Sequence, residues 1–243
     1  MSKRLKFFLG HLSASISIAL LIIGLVFFVW YPAPLAQAVG VTHIFLMLLV
    51  IDVILGPFLS FLVYKEGKET LKFDLTVIIL IQLSALSYGV YSIAQGRPVW
   101  LAYNVDRIEL VRNNEIIQDH LVQAQTQFQH PSWLKPQFVA IEFANNTQQR
   151  NDDMFAEVFG SISLAQRPER YVDFAQAKHK ILKHAQNLTN LTDFNQKDEV
   201  MKILQKYPQA TAYLPMKAGT VDMTVLIDAE GQVLKIVDLR PWK

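Results

Sequence analysis

The sequence predicts an integral membrane protein in which three N-terminal transmembrane helices precede a small α+β domain with an antiparallel sheet. Two observations carry this. Apolar residues make up 51% of the 243 positions and crowd into three long runs in the first hundred. Beyond them the pattern alternates between period two, as in strands, and spacings of three and four, as in helices.

The runs cover about 7–30, 41–63 and 73–95, each long enough at about 1.5 Å per residue to cross a hydrocarbon core of roughly 30 Å. Their only formal charges are Asp52 and Asp74. The first run has a signal-peptide-like feature, since Ala36-Gln37-Ala38 resembles a cleavage site. It exceeds the usual apolar core of about 7–15 residues, however. It also ends in Trp30-Tyr31, an aromatic pair suited to the headgroup boundary, so a spanning helix is expected. Lys3, Arg4 and Lys6 precede the first run, and Lys65, Lys68 and Lys72 lie between the second and third, whereas the turn "YPAPLAQAVG" carries no charge. The positive-inside rule then places the N-terminus in the cytoplasm and everything after Arg97 on the far side, which in a bacterial inner membrane is the periplasm. Arg97 falls at that boundary, with lipid phosphate as its expected partner. The expected division is therefore 1–96, membrane region, and 97–243, periplasmic domain.

From Gly96 onward Lys plus Arg number 17 and Asp plus Glu 17, against 6 and 4 before it, so the net charge of +2 belongs to the membrane region. A neutral domain gives no electrostatic footprint for nucleic acid, and none is expected as a partner. The chain has no cysteine, hence no disulfide and no thiol nucleophile.

Within the domain, "VWLAYNVDRIELV" reads as strand, turn and strand, and "PQFVAIEFA" as another strand. "DMTVLID" and "QVLKIVDL" flank Ala229-Glu230-Gly231 and form a hairpin. The spacing of Tyr171, Phe174, Ala177, Ile181, Leu182, Ala185 and Leu188 predicts one helix with a core-facing stripe. "DFNQKDEVMKILQKY" predicts a second, with Asn195 as N-cap. Asp152-Asp153 reads as a helix start. The helices are expected on one face of the sheet.

Catalytic patterns are sparse. There is no Gly-x-Ser-x-Gly elbow, phosphate loop or His-Glu-x-x-His, and no catalytic residue, cofactor or metal is expected. His179 and His184 fall on different helix faces, and His11, His43, His120 and His130 are scattered without carboxylate partners. Asn145, Asn187 and Asn190 fit the short Asn-x-Ser/Thr pattern. The sharper signals lie in the membrane runs. Asp52 sits near the bilayer midplane, where a carboxylate is costly and usually faces protein. Gly56 permits close approach and Pro57 removes a helical hydrogen bond. Gln82 lies at similar depth in the third run. Three readings of this set stay open: polar glue within the bundle, a seat for another protein's transmembrane helix, or proton relay or transport.

The order Asp52, Leu55-Gly56-Pro57, a Lys-rich loop, Asp74, Gln82, Tyr88-Gly89 and Arg97-Pro98 followed by "VWLAYNVDRIELV" resembles the type IV pilin accessory proteins of the TfpX/TfpZ type. The likeness is best over residues 1 to about 112, and "LPMKAG" and "LRPW" share it. It implies an inner-membrane protein of Gram-negative bacteria that acts with a particular major pilin, with other pilus assembly components as further partners, in pilus assembly or dynamics. It implies no enzymatic activity and transfers no residue role. The expected contacts are Asp52, Gly56, Pro57 and Gln82 on the pilin helix and the domain on the pilin head. Trp30, Tyr31 and Arg97 are expected at the membrane interface. The alternatives are a membrane-anchored periplasmic enzyme and a membrane-embedded sensor.

Overall fold

The computed structural model describes residues 1–144, 146–160 and 162–242; Asn145 and the side chain of Asp152 lie outside the described residues. Helix α1, Lys3–Leu25, starts on Ser2, whose hydroxyl accepts from the Leu5 amide, and runs on as a wider turn over Val26–Trp30. A short α2, Leu35–Val39, leads through Gly40 into α3, Val41–Val63, and α4 covers Leu71–Gln95. Lys3–Trp30, Val41–Val63 and Leu71–Gln95 are each long and apolar enough to cross a membrane, as expected. Helix α3 packs between α1 and α4. Phe8 meets Phe61 and Phe27 meets Phe45 across the α1–α3 seam. On the α4 side Gly89 makes room for Leu48, because a β-carbon at position 89 would lie 2.6 Å from Leu48 Cδ1.

Eight strands follow: β1 Pro98–Asn104, β2 Arg107–Arg112, β3 Gln137–Ile141, β4 Tyr171–Asp173, β5 Gln186–Asn187, β6 Ala212–Lys217, β7 Met223–Ile227 and β8 Val233–Val237. They form one sheet in the order β4-β3-β1-β2-β6-β7-β8, with β5 beside β6. The α+β class stands, and the β1–β2 and β7–β8 hairpins fall where the alternation places them. Gly231 closes the second with φ 76°. The sheet is mixed rather than purely antiparallel, since β1–β3 and β2–β6 run parallel.

Among the described residues three α-helices intervene: α5 Thr147–Gly160, α6 Lys178–His184 and α7 Lys197–Leu204. The single helix expected over 171–188 is instead a strand, a tight turn, the short α6 and the strand β5. Tyr171–Asp173 joins the sheet edge, pairing with β3, and the Asp173 carboxylate then caps the Ala175 amide to start a tight turn. Of the expected stripe, Phe174, Ala177, Ile181 and Ala185 share one core, while Leu182 is exposed and Tyr171 and Leu188 pack elsewhere. Asn195 is not the cap of α7. Its side chain instead bridges the Leu191 and Arg240 backbones, donating to both carbonyls and accepting from the Arg240 amide. Asp153 lies inside α5, not at its start, and binds Arg167 and Arg170 at 3.0 and 2.8 Å. Asn187 spends its side chain capping the Thr189 amide.

Both sheet faces are covered, contrary to the one-sided expectation. Along β1, Leu101 and Tyr103 enter one core while Trp100 and Ala102 enter the other, the alternation a pleated strand imposes. Ile181 of α6 joins Leu214 and Val225 on the first face; Val200 of α7 joins their neighbours Tyr213 and Leu226 on the second.

The connector between the first two spans is built into this core. Leu35 and Ala38 cluster with Leu101, Tyr103, Ile108 and Met216. The Thr220 amide donates to the Ala38 carbonyl at 2.9 Å, and its hydroxyl to Val39 at 3.0 Å. Gly40 adopts φ 77°, and a β-carbon there would lie 2.6 Å from Thr220 Oγ1. Gly40→Ala is therefore expected to cost about 1–2 kcal/mol from the left-handed backbone alone. Chemical unfolding in detergent, followed by circular dichroism, measures it; an unchanged midpoint would refute the left-handed backbone at position 40.

Alkaline pH is the second stress with a readable sign. Burial, with Asp106 nearby, pushes the Tyr103 phenol up to about 12, and burial raises Tyr31 and Tyr171 as well. Between pH 10 and 12 the unfolded chain loses these protons before the folded one. The stability these phenols contribute is therefore fully present below about 10 and falls as pH rises beyond it. Tyr103→Phe should flatten that fall in unfolding curves collected across the range, and an identical slope would count against it.

Candidate functional site

Helical spacing assembles a polar cluster in the middle of the bundle. Asp52, Gly56 and Ser60 recur every four residues on α3, and His11 and Ser15 are one turn apart on α1, so each set shares a face. Gln82 of α4 joins them. Its amide nitrogen donates to the Asp52 carbonyl and to Ser15 Oγ, both at 3.1 Å. A carbonyl can only accept, so the amide orientation follows, and Gln82 Oε1 faces His11 Nε2 at 2.9 Å. That nitrogen must carry the hydrogen. His11 Nδ1 then meets Ser60 Oγ at 2.9 Å, closing a network that joins all three spans.

Gly56 is what admits Gln82. An ideal β-carbon at position 56 would fall 1.8 Å from Gln82 Oε1. Pro57 is buried beside it. The structure thus brings Asp52, Gly56 and Gln82 into direct contact. The Asp52 carboxyl has Gln82 and His11 as polar neighbours and borders two open grooves. One, of about 480 Å3, lies along α3 and α4 between Met47, Ile51, Leu55 and Ile81. The other, of about 580 Å3, lies along α1 and α4 beside Gly10, Ile18 and Leu83.

His11 and Ser60 belong to this site although scattered histidines gave no such expectation. The available signal was an ionisable residue inside an apolar run, one turn before a serine, which in a membrane span marks a site by default. Asp74 stands apart, at the start of α4, paired with Lys68 at 2.7 Å.

Trp30, Tyr31 and Arg97 gather where the bundle meets the sheet. The Trp30 indole donates to the Trp133 carbonyl at 3.0 Å, and the buried Tyr31 hydroxyl donates to the Ile93 carbonyl at 2.7 Å. Arg97 is 4% exposed. One of its terminal nitrogens donates to the Ala94 carbonyl at 2.7 Å, and its guanidinium carbon lies 4.7 Å from the centre of the Trp133 ring. The lipid-phosphate contact expected of Arg97 is replaced by the negative end of α4 and an aromatic face, both supplied by the protein itself. Burial lowers its pKa.

Elsewhere, His184 Nδ1 meets the Tyr103 hydroxyl at 3.1 Å. Trp242 donates to Asp222 at 2.7 Å. Among the described residues no three metal-ligating side chains cluster.

The family model for the fimbrial assembly protein FimB matches residues 1–40, the first span and the connector. Two fimbrial assembly proteins of Dichelobacter nodosus, of serogroup I and serogroup E1, are each 30% identical to this chain over 239 residues, covering 94% of it and 92% of their own length. A third, of serogroups C1 and C2, is 40% identical over 117 residues, covering 47% of this chain and 88% of its own. No solved structure matches the chain. The resemblance to pilus accessory proteins is thereby carried over nearly the whole length, and the chain belongs to the family of fimbrial assembly proteins.

Proposed function

We propose that this protein is a non-enzymatic inner-membrane accessory factor that binds the major type IV pilin and supports pilus assembly and dynamics. The near-full-length similarity to fimbrial assembly proteins is the observation that carries the reading. The bundle adds a place for the contact. A pilin subunit waits in the membrane as one long apolar helix, and the groove along α3 and α4 is an apolar seat with polar groups of Asp52 and Gln82 at its floor. The N-terminus and the α3–α4 loop face the cytoplasm, as their lysines require, and the sheet region lies in the periplasm, where it reads the pilin head.

The test is photo-crosslinking in cells. Gly56 is a poor site for the probe because it has no room for a side chain. Leu55 and Ile81, 50% and 65% exposed along the groove, and the exposed Lys235 of β8 are better. Capture of the major pilin from a groove position and from Lys235 is the expected result. No capture from any of them, with the protein at normal level, would end this reading. The proposed pilin seat also predicts that Asp52→Asn combined with Gln82→Leu lowers pilin co-purification and piliation.

A further inference from the structure

We propose that the loop Pro131–Pro136 is an additional membrane contact, in which Trp133 and Leu134 enter the interfacial zone of the leaflet nearest the sheet. The proposal rests on the reading of α1, α3 and α4 as membrane spans. Three observations place the loop at that depth. The Trp133 backbone carbonyl is held by Trp30, the last residue of the first span. The Trp133 ring lies on Arg97, two residues beyond the end of the third span. The Ser132 carbonyl, one residue earlier, also faces the Arg97 guanidinium. The loop is therefore tied to the ends of two spans at once.

Its composition fits lipid rather than water. Trp133 and Leu134 are 69% and 66% exposed, adjacent and apolar, and the next residue is an exposed lysine, Lys135. A tryptophan with an aliphatic neighbour and a flanking cation suits the headgroup boundary, where the indole is stable at the interface and the ammonium reaches phosphate. The neighbouring helix surface carries exposed aromatic rings within about two turns of the span ends. Tyr88 and Tyr91, in the last turns of α4, are 74% and 60% exposed, and Phe28 at the end of the first span is 75% exposed. Aromatic rings near the ends of spans suit the interface, and the loop lies just beyond them. Arg97 then has a second role: by stacking beneath the indole it fixes the ring at the surface, and the sheet region is held against the bilayer rather than hinged freely on α4.

The absence of native cysteine permits clean single-site labelling of the full chain. Leu134→Cys carries an environment-sensitive fluorophore, and the protein is reconstituted without any partner into vesicles of phosphatidylcholine and phosphatidylglycerol. Brominated lipids quench the label, with the bromine placed either high or low on the acyl chain. Leu21→Cys, 76% exposed within the first span, reports the spanning reading. Asp106→Cys, in the exposed turn at the far end of the β1–β2 hairpin, reports the sheet region away from α4. The expected result is loss of Leu134 emission, greater with the high bromine than with the low, strong quenching at Leu21, and none at Asp106. Quenching at Leu21 with none at Leu134 would overturn the proposal and leave the exposed pair as a protein-docking surface. No quenching at Leu21 would overturn the spanning reading and the proposal together. All three substitutions are at exposed positions, so folding is retained and each outcome bears on position alone.

Discussion

Gly56→Leu is expected to destabilise the helix bundle by about 3–5 kcal/mol, from overpacking and lost intramembrane hydrogen bonds. The β-carbon alone would overlap Gln82 Oε1 at 1.8 Å, so the Gln82 side chain must leave. It then surrenders its contacts to His11, Ser15 and the Asp52 carbonyl, each worth roughly 0.6 kcal/mol in a membrane interior. The added leucine volume costs a further ~1–3 kcal/mol in a packed seam. Denaturation by a stronger detergent, titrated against circular dichroism, measures the sum. The mechanism is separable from simple crowding by a cycle with the smaller Gly56→Ala. Where Gln82 is present, the alanine should be costly; where Gln82 is itself alanine, the three nearest obstructing atoms are gone and the cost should shrink by about 1 kcal/mol or more, the signature of two residues in contact. Additive effects would mean that Gly56 and Gln82 do not share the space assigned to them.

Arg97→Ala is expected to loosen the junction by about 2–4 kcal/mol, the sum of a charge-assisted hydrogen bond and a desolvated cation–π contact. The Ala94 carbonyl at the end of α4 loses its short side-chain donor and keeps the 3.4 Å bond from the backbone amide of residue 97, and the Trp133 ring loses the cation beneath it. The buried Arg97 Nε makes no hydrogen bond, which reduces what the native residue contributes and favours the lower end of the range. Lysine cannot donate to Ala94 and stack flat on the indole at once, so Arg97→Lys should recover only part of the loss. Limited proteolysis across 130–136, together with thermal unfolding, reads both effects. Equal protease resistance and an unchanged midpoint in the alanine variant would show that Arg97 does not hold this loop.

Legibility of the fold from sequence follows the range of the interactions that specify each part. The β1–β2 hairpin was readable because Leu101, Tyr103, Ile108 and Leu110 alternate within one short stretch. The segment 171–188 was not. Its spacing satisfies a helix, yet Tyr171–Asp173 gains ladder hydrogen bonds from β3, thirty residues earlier, and that distant edge overrides the local pattern. Asn195 has the chemistry of a cap, but the free Arg240 backbone of the C-terminal segment competes for the same side chain and wins. Asp52, Gly56 and Gln82 stood out as polar or small residues in hydrocarbon. Their partner His11 did not, because nothing local says that it meets Gln82 across seventy-one positions.

The sequence by itself determined three apolar spans, an α+β remainder, an asymmetry of charge between the loops, and the likeness to pilus accessory proteins. Hydropathy over twenty residues and side-chain period are local quantities, and the cost of exposing backbone in hydrocarbon leaves a long apolar run little choice but helix. Only the tertiary structure decided how those pieces meet. Which faces of α1, α3 and α4 turn inward depends on the rotation of each helix against the others, and that rotation is set where Gly56 and Gln82 interlock. The parallel pairing of β1 with β3 and of β2 with β6, and the entry of Leu35 and Ala38 into the sheet core, depend on chain segments far apart in sequence. Arg97 shows the difference most directly. Its position after an apolar run suggests a lipid anchor, and the packing of Trp133 over it turns the same charge inward.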